Sequence, residues 1–377
     1  MQIIGKLPAD SFFYIFKFKL IMDKLSSKKF GALMCFLVTF SASSFAQFDN
    51  IDFLRSGPTD GVKYLQSYIS PWANAFGAGL NGGWYNTAKP HKFLGFDITT
   101  GVNLGFVPES ASTFDVSKIG LTTLSGTGMA STISGPEVNG PPLTLSKEGV
   151  TLATFNAPPG SDYKTIPVPT LQVGLGLPLG TELKGRFIPR ISIQDGDISL
   201  WGVGLLHSII QYFPGNKLLP FDVSVFGGYT KLEGNIPISL QPDPSTNVIT
   251  APYSINSFQD QKLNVCVEAY NISAIASLNL PVITFYGGLG YSKTKTEMSL
   301  LGYFPTPQLV NSPDPHVEYN NAGVQNGSSF SNMDIENYSG LRANIGLRVK
   351  LAVITIHGDY TRAEYNVVSA GLGISFR

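Results

Sequence analysis

The residues able to do chemistry are scattered along the chain. Four histidines, His91, His207, His316 and His357, could serve as bases or metal ligands, yet none lies in HExxH or a paired ligand spacing. A lone histidine on a strand is more often a structural hydrogen-bonder. His207 and Ser208 are adjacent, but neighbours on a strand point to opposite faces, and no GxSxG motif is present. Gly77-Ala78-Gly79-Leu80-Asn81-Gly82 matches GxGxxG. That fingerprint binds phosphate only where a strand turns into a helix N-terminus, and here the run reads as part of an alternating strand. The sequence therefore points to no enzyme, no cofactor and no metal site.

A different chemistry emerges from the charged residues. Glu182, Lys184, Arg186 and Arg190 share one face of segment 181–193. Arg342, Arg348 and Lys350 share one face of 339–350, and His357 and Asp359 one face of 352–363. Asp97, Asp222 and Glu268 are assigned to the same inner set. Ionisable groups are costly in hydrocarbon, so in a membrane-spanning sheet they should point inward. Two readings stay open: a partly basic channel favouring anions, or charges paired with one another that close the lumen.

The elements carrying these rows alternate apolar with small or polar residues. Val368, Ala370, Leu372, Ile374 and Phe376 alternate with Ser369, Gly371, Gly373 and Ser375. The same period-two pattern runs through 341–350, 94–106 and 221–230. A soluble sandwich would bury the apolar rows, whereas a membrane barrel would turn them to lipid. Several segments sustain the pattern well beyond the roughly 5–6 residues of a sandwich strand, which favours the barrel. The expected fold is an all-β transmembrane antiparallel β-barrel of about 12 strands (10–14).

Composition agrees. Of 377 residues, 26 are Lys or Arg and 26 are Asp or Glu, which removes the basic footprint of a nucleic-acid binder. Charged residues are only 14%, against roughly 25% in ordinary soluble domains. Lys24, Lys28 and Lys29, the apolar stretch Phe30 to Phe40, and Ser44-Phe45-Ala46 read as a signal peptide cleaved after Ala46. Residues 1–21 read as an extension ahead of a second start at Met22. Cys266 is then the only cysteine, so an internal disulfide is excluded.

The strands are read at 72–85, 92–106, 113–123, 170–178, 181–193, 197–213, 219–234, 261–278, 281–301, 339–350, 352–363 and 366–376. Long connections 124–169, 235–260 and 302–338 then fall on one side, and short ones on the other, as outer loops and periplasmic turns should. A hairpin around 142–155 either belongs to the first long loop or adds two strands. A phase slip between Val265/Val267 and Ala274/Ala276/Leu278 suggests a bulge near Tyr270. Segment 47–71 reads as a periplasmic segment or plug, with a short helix from Thr59 or Asp60 stopped by Pro71; 72–377 reads as the barrel.

Asn81-Gly82-Gly83-Trp84-Tyr85-Asn86-Thr87-Ala88-Lys89-Pro90-His91, the run 205–215, and Phe226-Gly227-Gly228-Tyr229-Thr230 resemble a family of uncharacterised outer-membrane β-barrels of Bacteroidota-type bacteria. The resemblance runs from about residue 59 to the C-terminus. It implies an outer-membrane location. In plan the chain is distantly similar to outer-membrane long-chain fatty-acid transporters, which have fourteen strands and an N-terminal plug. The function expected is a passive pore or transporter for small solutes, with a structural or surface-binding barrel as the alternative and a barrel lipase behind both. Expected partners are outer-membrane lipid and a small solute; oligomeric state is left open.

Overall fold

A computed structural model describes residues 51–376 except 194–195, 215–219, 243–248, 311–315, 320–323, 327–332 and 336–337. The signal-peptide reading falls on residues outside the described set. One long helix, α1 (Gly57–Asn81), precedes ten long strands: β1 (Phe96–Phe106), β2 (Thr165–Leu177), β3 (Thr181–Ile193), β4 (Gly196–Ser208), β5 (Phe221–Pro237), β6 (Lys262–Asn279), β7 (Ile283–Leu301), β8 (Ser339–Leu351), β9 (Ile354–Arg362) and β10 (Val367–Phe376). Each strand pairs antiparallel with its sequence neighbours. β1 pairs with β10, for example Gly101 opposite Gly371, and closes the ring. Closure leaves no open edge within the ten-strand ring, as a sheet surrounded by lipid requires, and a short eleventh strand, Met333–Ile335, adds to β7 beyond it.

The outward rows are greasy and unpartnered. Leu341 is 82% exposed, Ile345 72% and Leu289 70%, where a soluble sandwich would have buried them. Trp201, Tyr229 and Tyr270 form an aromatic row across β4–β6, with ring centroids 5.3 and 5.0 Å apart, at the upper limit of this apolar belt. No described helix is long and apolar enough to cross a membrane.

The described residues of the three long connections, 107–164, 238–261 and 302–338, lie at one end of the barrel. The turns 178–180, 209–220, 280–282 and 352–353 lie at the other. Two of the expected strands are absent from the ring. Residues 113–123 form only a three-residue strand and a short 3-10 turn inside the first long connection. The hairpin Pro142–Lys147 with Val150–Asn156 likewise stays in that connection.

The second missing strand, 72–85, is the end of α1, which runs through Pro71. Alternation of Ala73, Ala75, Gly77 and Gly79 imitates a strand, but these small residues instead let a helix enter the barrel mouth. A Cβ on Gly77 would lie 2.1 Å from Thr294 Cγ2, and one on Gly79 2.6 Å from Val168 Cγ2. GxGxxG thus sits at a helix C-terminus, the wrong end for phosphate.

The helix also begins at the long-loop end, not at the short-turn end where a periplasmic helix was expected. Tyr64, Leu65, Tyr68 and Ile69 pack there against Val116, Leu124, Ile133 and Leu143 of the first long connection, forming one apolar core outside the belt. Asp60 fixes this cap. Its carboxylate accepts the Thr122, Thr123 and Leu124 backbone N–H groups at 2.9, 2.7 and 2.8 Å.

That core accounts for the apparent phase slip. In β6, Leu263, Val265, Val267 and Ala269 face inward against the cap, then Asn271, Ser273 and Ser277 continue on the same inward face. Register with β5 and β7 runs unbroken through Tyr270, so there is no bulge. Polarity inverts with height while the chain does not.

Candidate functional site

Below α1 the chain passes down the bore as an irregular strap, residues 82–95. Four strands hold its start. Asn103 (β1) donates to the Gly79 and Gly82 carbonyls at 2.9 and 3.2 Å. Arg186 (β3) donates to Leu80 O at 2.8 Å and Gly82 O at 2.7 Å. Asn271 (β6) and Arg342 (β8) both donate to Asn81 O, at 3.2 and 2.6 Å. These are the carbonyls a helix end leaves unpaired, and the two guanidiniums also meet the negative end of the helix dipole. Arg186 further donates to Gln172 Oε1 at 3.0 Å.

Next come Trp84 and Tyr85, both nearly fully buried. They pack on Phe226 with centroids 5.4 and 5.5 Å apart. Gly204 and Gly228 make room for the indole: a Cβ on either would sit 3.0 or 3.1 Å from it. Tyr85 donates its hydroxyl to Asn344 Oδ1 at 2.8 Å. Lower down, the Ala88 N–H donates to Ser277 Oγ at 3.0 Å, and Ser224 Oγ donates to Ala88 O.

At the short-turn end His91 meets a charged cluster. Its backbone N–H and its Nδ1 each lie 2.9 Å from Glu182 Oε2, and its Nε2 lies 3.0 Å from Ser375 Oγ. Lys184 bonds the other Glu182 oxygen, Oε1. Asp97 Oδ1 stands 3.7 Å from His91 Nδ1 and takes no hydrogen bond, while Oδ2 accepts from Thr99 at 2.9 Å. His91, Asp97 and Glu182 form the one cluster among the described residues with three metal-capable groups in reach of each other.

Ten of the twelve residues assigned to the lumen lie inside the barrel. Asp97, Glu182, Lys184, Arg186, Arg342, Arg348, His357 and Asp359 are buried. Asp222 and Lys350 are half-buried at the short-turn end, where Asp222 accepts from Asn279 Nδ2 at 2.6 Å and Lys350 donates to Ser375 Oγ at 3.2 Å. Asp359 accepts from Tyr286 at 3.1 Å, and His357 faces Asn86 of the strap at 3.4 Å.

Two do not belong there. Arg190 is exposed and pairs with Asp197 at 3.0 Å, because the β3–β4 register shifts between Ile188 and Ile191 and turns it outward. Glu268 lies above the polarity inversion, on the outward face, and accepts from Tyr229 and Tyr270 at 2.8 and 3.0 Å. Sequence reasoning missed the strap, including His91, because His91 is far in sequence from Glu182 and its neighbourhood carries no ligand spacing.

Among curated proteins, none matches this chain. Solved structures similar in plan include Ail, the attachment invasion locus protein of Yersinia pestis, at 9% identity and TM-score 0.25, covering 75% of this chain and 99% of that one. The outer-membrane protease OmpT from Escherichia coli is 8% identical at TM-score 0.29, covering 75% and 97%. A Pseudomonas aeruginosa FadL homologue is 9% identical at TM-score 0.18, covering 74% and 88%. At these values none adds to what the ten-strand ring itself establishes. A family profile matches residues 23–376, and the chain belongs to that family, DUF6588, a family of unknown function.

Proposed function

We propose that this protein is a bacterial outer-membrane barrel, exported by a cleavable signal peptide, whose bore is shut by its own α1 and strap. Its working surface is then the cap that α1 and the long connections build at the outer mouth. The observation that carries this reading is the convergence of Asn103, Arg186, Asn271 and Arg342 on the carbonyls of residues 79–82. Four strands spend their inward polar groups on the chain itself, and loops on a rigid scaffold commonly carry recognition. Planar-bilayer recording tests it. Wild-type protein should show no steady conductance, and Arg186→Ala/Arg342→Ala should show opening events. A steady ohmic current through wild-type protein would overturn the closed reading.

A second reading is supported by the polar character of the strap's lower contacts. Side-chain hydrogen bonds, such as Ser224 Oγ to Ala88 O and the Ala88 N–H to Ser277 Oγ, hold residues 86–92 against the wall, and such contacts exchange with water more readily than an apolar seal. In that reading the strap moves aside to pass a small solute, on the plan of plugged fatty-acid transporters. Proteoliposome uptake that wild-type protein supports and a cross-linked strap abolishes would favour it.

A further inference from the structure

We propose that His91, Asp97 and Glu182 form a binding site for a divalent zinc-class ion that ties the strap to the barrel wall. The three side chains come from the strap, β1 and β3, and are 9%, 9% and 1% exposed. Nδ1 of His91 stands 2.9 Å from Glu182 Oε2 and 3.7 Å from Asp97 Oδ1. Ligands on a tetrahedral ion with bonds near 2.0–2.1 Å are roughly 3.3 Å apart, so these separations bracket the required edge.

Each ligand atom is free for the ion or held toward it. Asp97 Oδ1 is buried, has no hydrogen bond and points at His91 Nδ1. Lys184 occupies Glu182 Oε1, while Oε2 accepts the His91 backbone N–H and turns its other lone pair to the imidazole. Ser375 Oγ holds His91 Nε2, the outer contact that orients a metal-binding imidazole. Gly174 keeps the space open: a Cβ there would fall 2.3 Å from Asp97 Oδ1 and 2.7 Å from Glu182 Oε1.

One imidazole nitrogen with two carboxylates is a ligand set suited to zinc rather than to magnesium or calcium, which prefer all-oxygen shells. The two carboxylates supply negative charge for a cation, which the ammonium of Lys184 offsets and that of Lys350, within electrostatic reach of Asp97, offsets further. Arg348, within electrostatic reach of both Asp97 and Glu182, works against that charge and weakens binding. With no ion bound, a proton on Nδ1 donated to Glu182 is the competing arrangement.

The test uses the full mature chain in detergent, with any tag removed and metals stripped by a chelator. Zn²⁺ titration against a chromophoric chelator should show one equivalent bound. Binding should disappear in His91→Ala and Asp97→Asn, persist in His207→Ala, and tighten several-fold in Arg348→Gln. Heat-modifiable gel migration reports whether each variant folds. Should His91→Ala fail to fold, Co²⁺ added to wild-type protein should give the intense visible bands of a four-coordinate ion. Absent uptake, weak six-coordinate bands, or equal uptake by a folded His91→Ala would overturn the site. Uptake is read without reference to conductance, so this result stands apart from whether the bore is shut.

Discussion

The Arg186 guanidinium lies 3.8 Å from the centroid of the Trp84 ring. One side chain of the wall thus stacks on the strap while donating to the two carbonyls just before it. A planar guanidinium stacks flat on the ring while its edge N–H groups donate in its own plane, a geometry that an ammonium lacks. Arg186→Ala should cost about 2–4 kcal/mol, because it removes charge-assisted bonds and takes the side-chain donor from Leu80 O and Gln172 Oε1, while Gly82 O keeps Asn103. Arg186→Lys should recover little of it. Unfolding free energy in urea with lipid vesicles measures both.

Close packing of α1 on the wall gives a second test. A Cβ on Gly105 would fall 2.1 Å from the Ala75 carbonyl oxygen, backbone against backbone. Gly105→Ala should destabilise by roughly 1–3 kcal/mol. It should also raise hydrogen exchange across residues 73–81, whereas Gly185→Ala, whose Cβ meets nothing within 4 Å, should not.

Asp60 predicts a pH dependence in the cap. Burial works to raise its carboxyl, but the Leu124, Thr122 and Thr123 backbone N–H groups outweigh this and hold it below the usual carboxylate range. A group depressed on folding adds stability in full above its unfolded value, about 3.9, and loses it as pH falls through the lower folded value. Amide protection at Thr122–Leu124 should therefore be constant from pH 7 to pH 5 and fall in acid, after correction for intrinsic exchange rates. Asp60→Asn should show lower protection throughout and a flatter profile.

Position relative to the belt sets the effect of an added charge. Ile345→Arg, outward and mid-belt, should cost about 2–4 kcal/mol of folding free energy into vesicles. Glu297→Arg, outward beyond the aromatic row, should change it by less than about 1 kcal/mol. Equal costs at both sites would contradict the belt assigned here.

The period-two rows were readable because lipid and a polar bore demand opposite faces. They located all ten ring strands and the long-loop end. Ala73 to Gly79 misled because small residues needed for helix entry also alternate. Glu268 reads as inward only if the inward face stays polar along all of β6, whereas the cap turns the upper inward face apolar. Arg190 was lost to a register shift that no residue pattern announces. The Asn81–His91 run that carried the family resemblance is the helix end and strap, and Gly228 in the Phe226–Thr230 run is where Trp84 packs. Those motifs were visible, but their meaning depended on contacts made far along the chain, such as Gln172 to Trp84, 88 residues apart.

Disulfide trapping asks most directly whether the strap lies in the bore. Thr87 Oγ1 and Ser277 Oγ are 3.3 Å apart. In a Cys266→Ser background, Thr87→Cys/Ser277→Cys should close to near completion under mild oxidant in native membranes, while Thr87→Cys/Ser299→Cys should not. Failure of the first pair to form in folded, membrane-inserted protein would contradict a bore closed by its own chain.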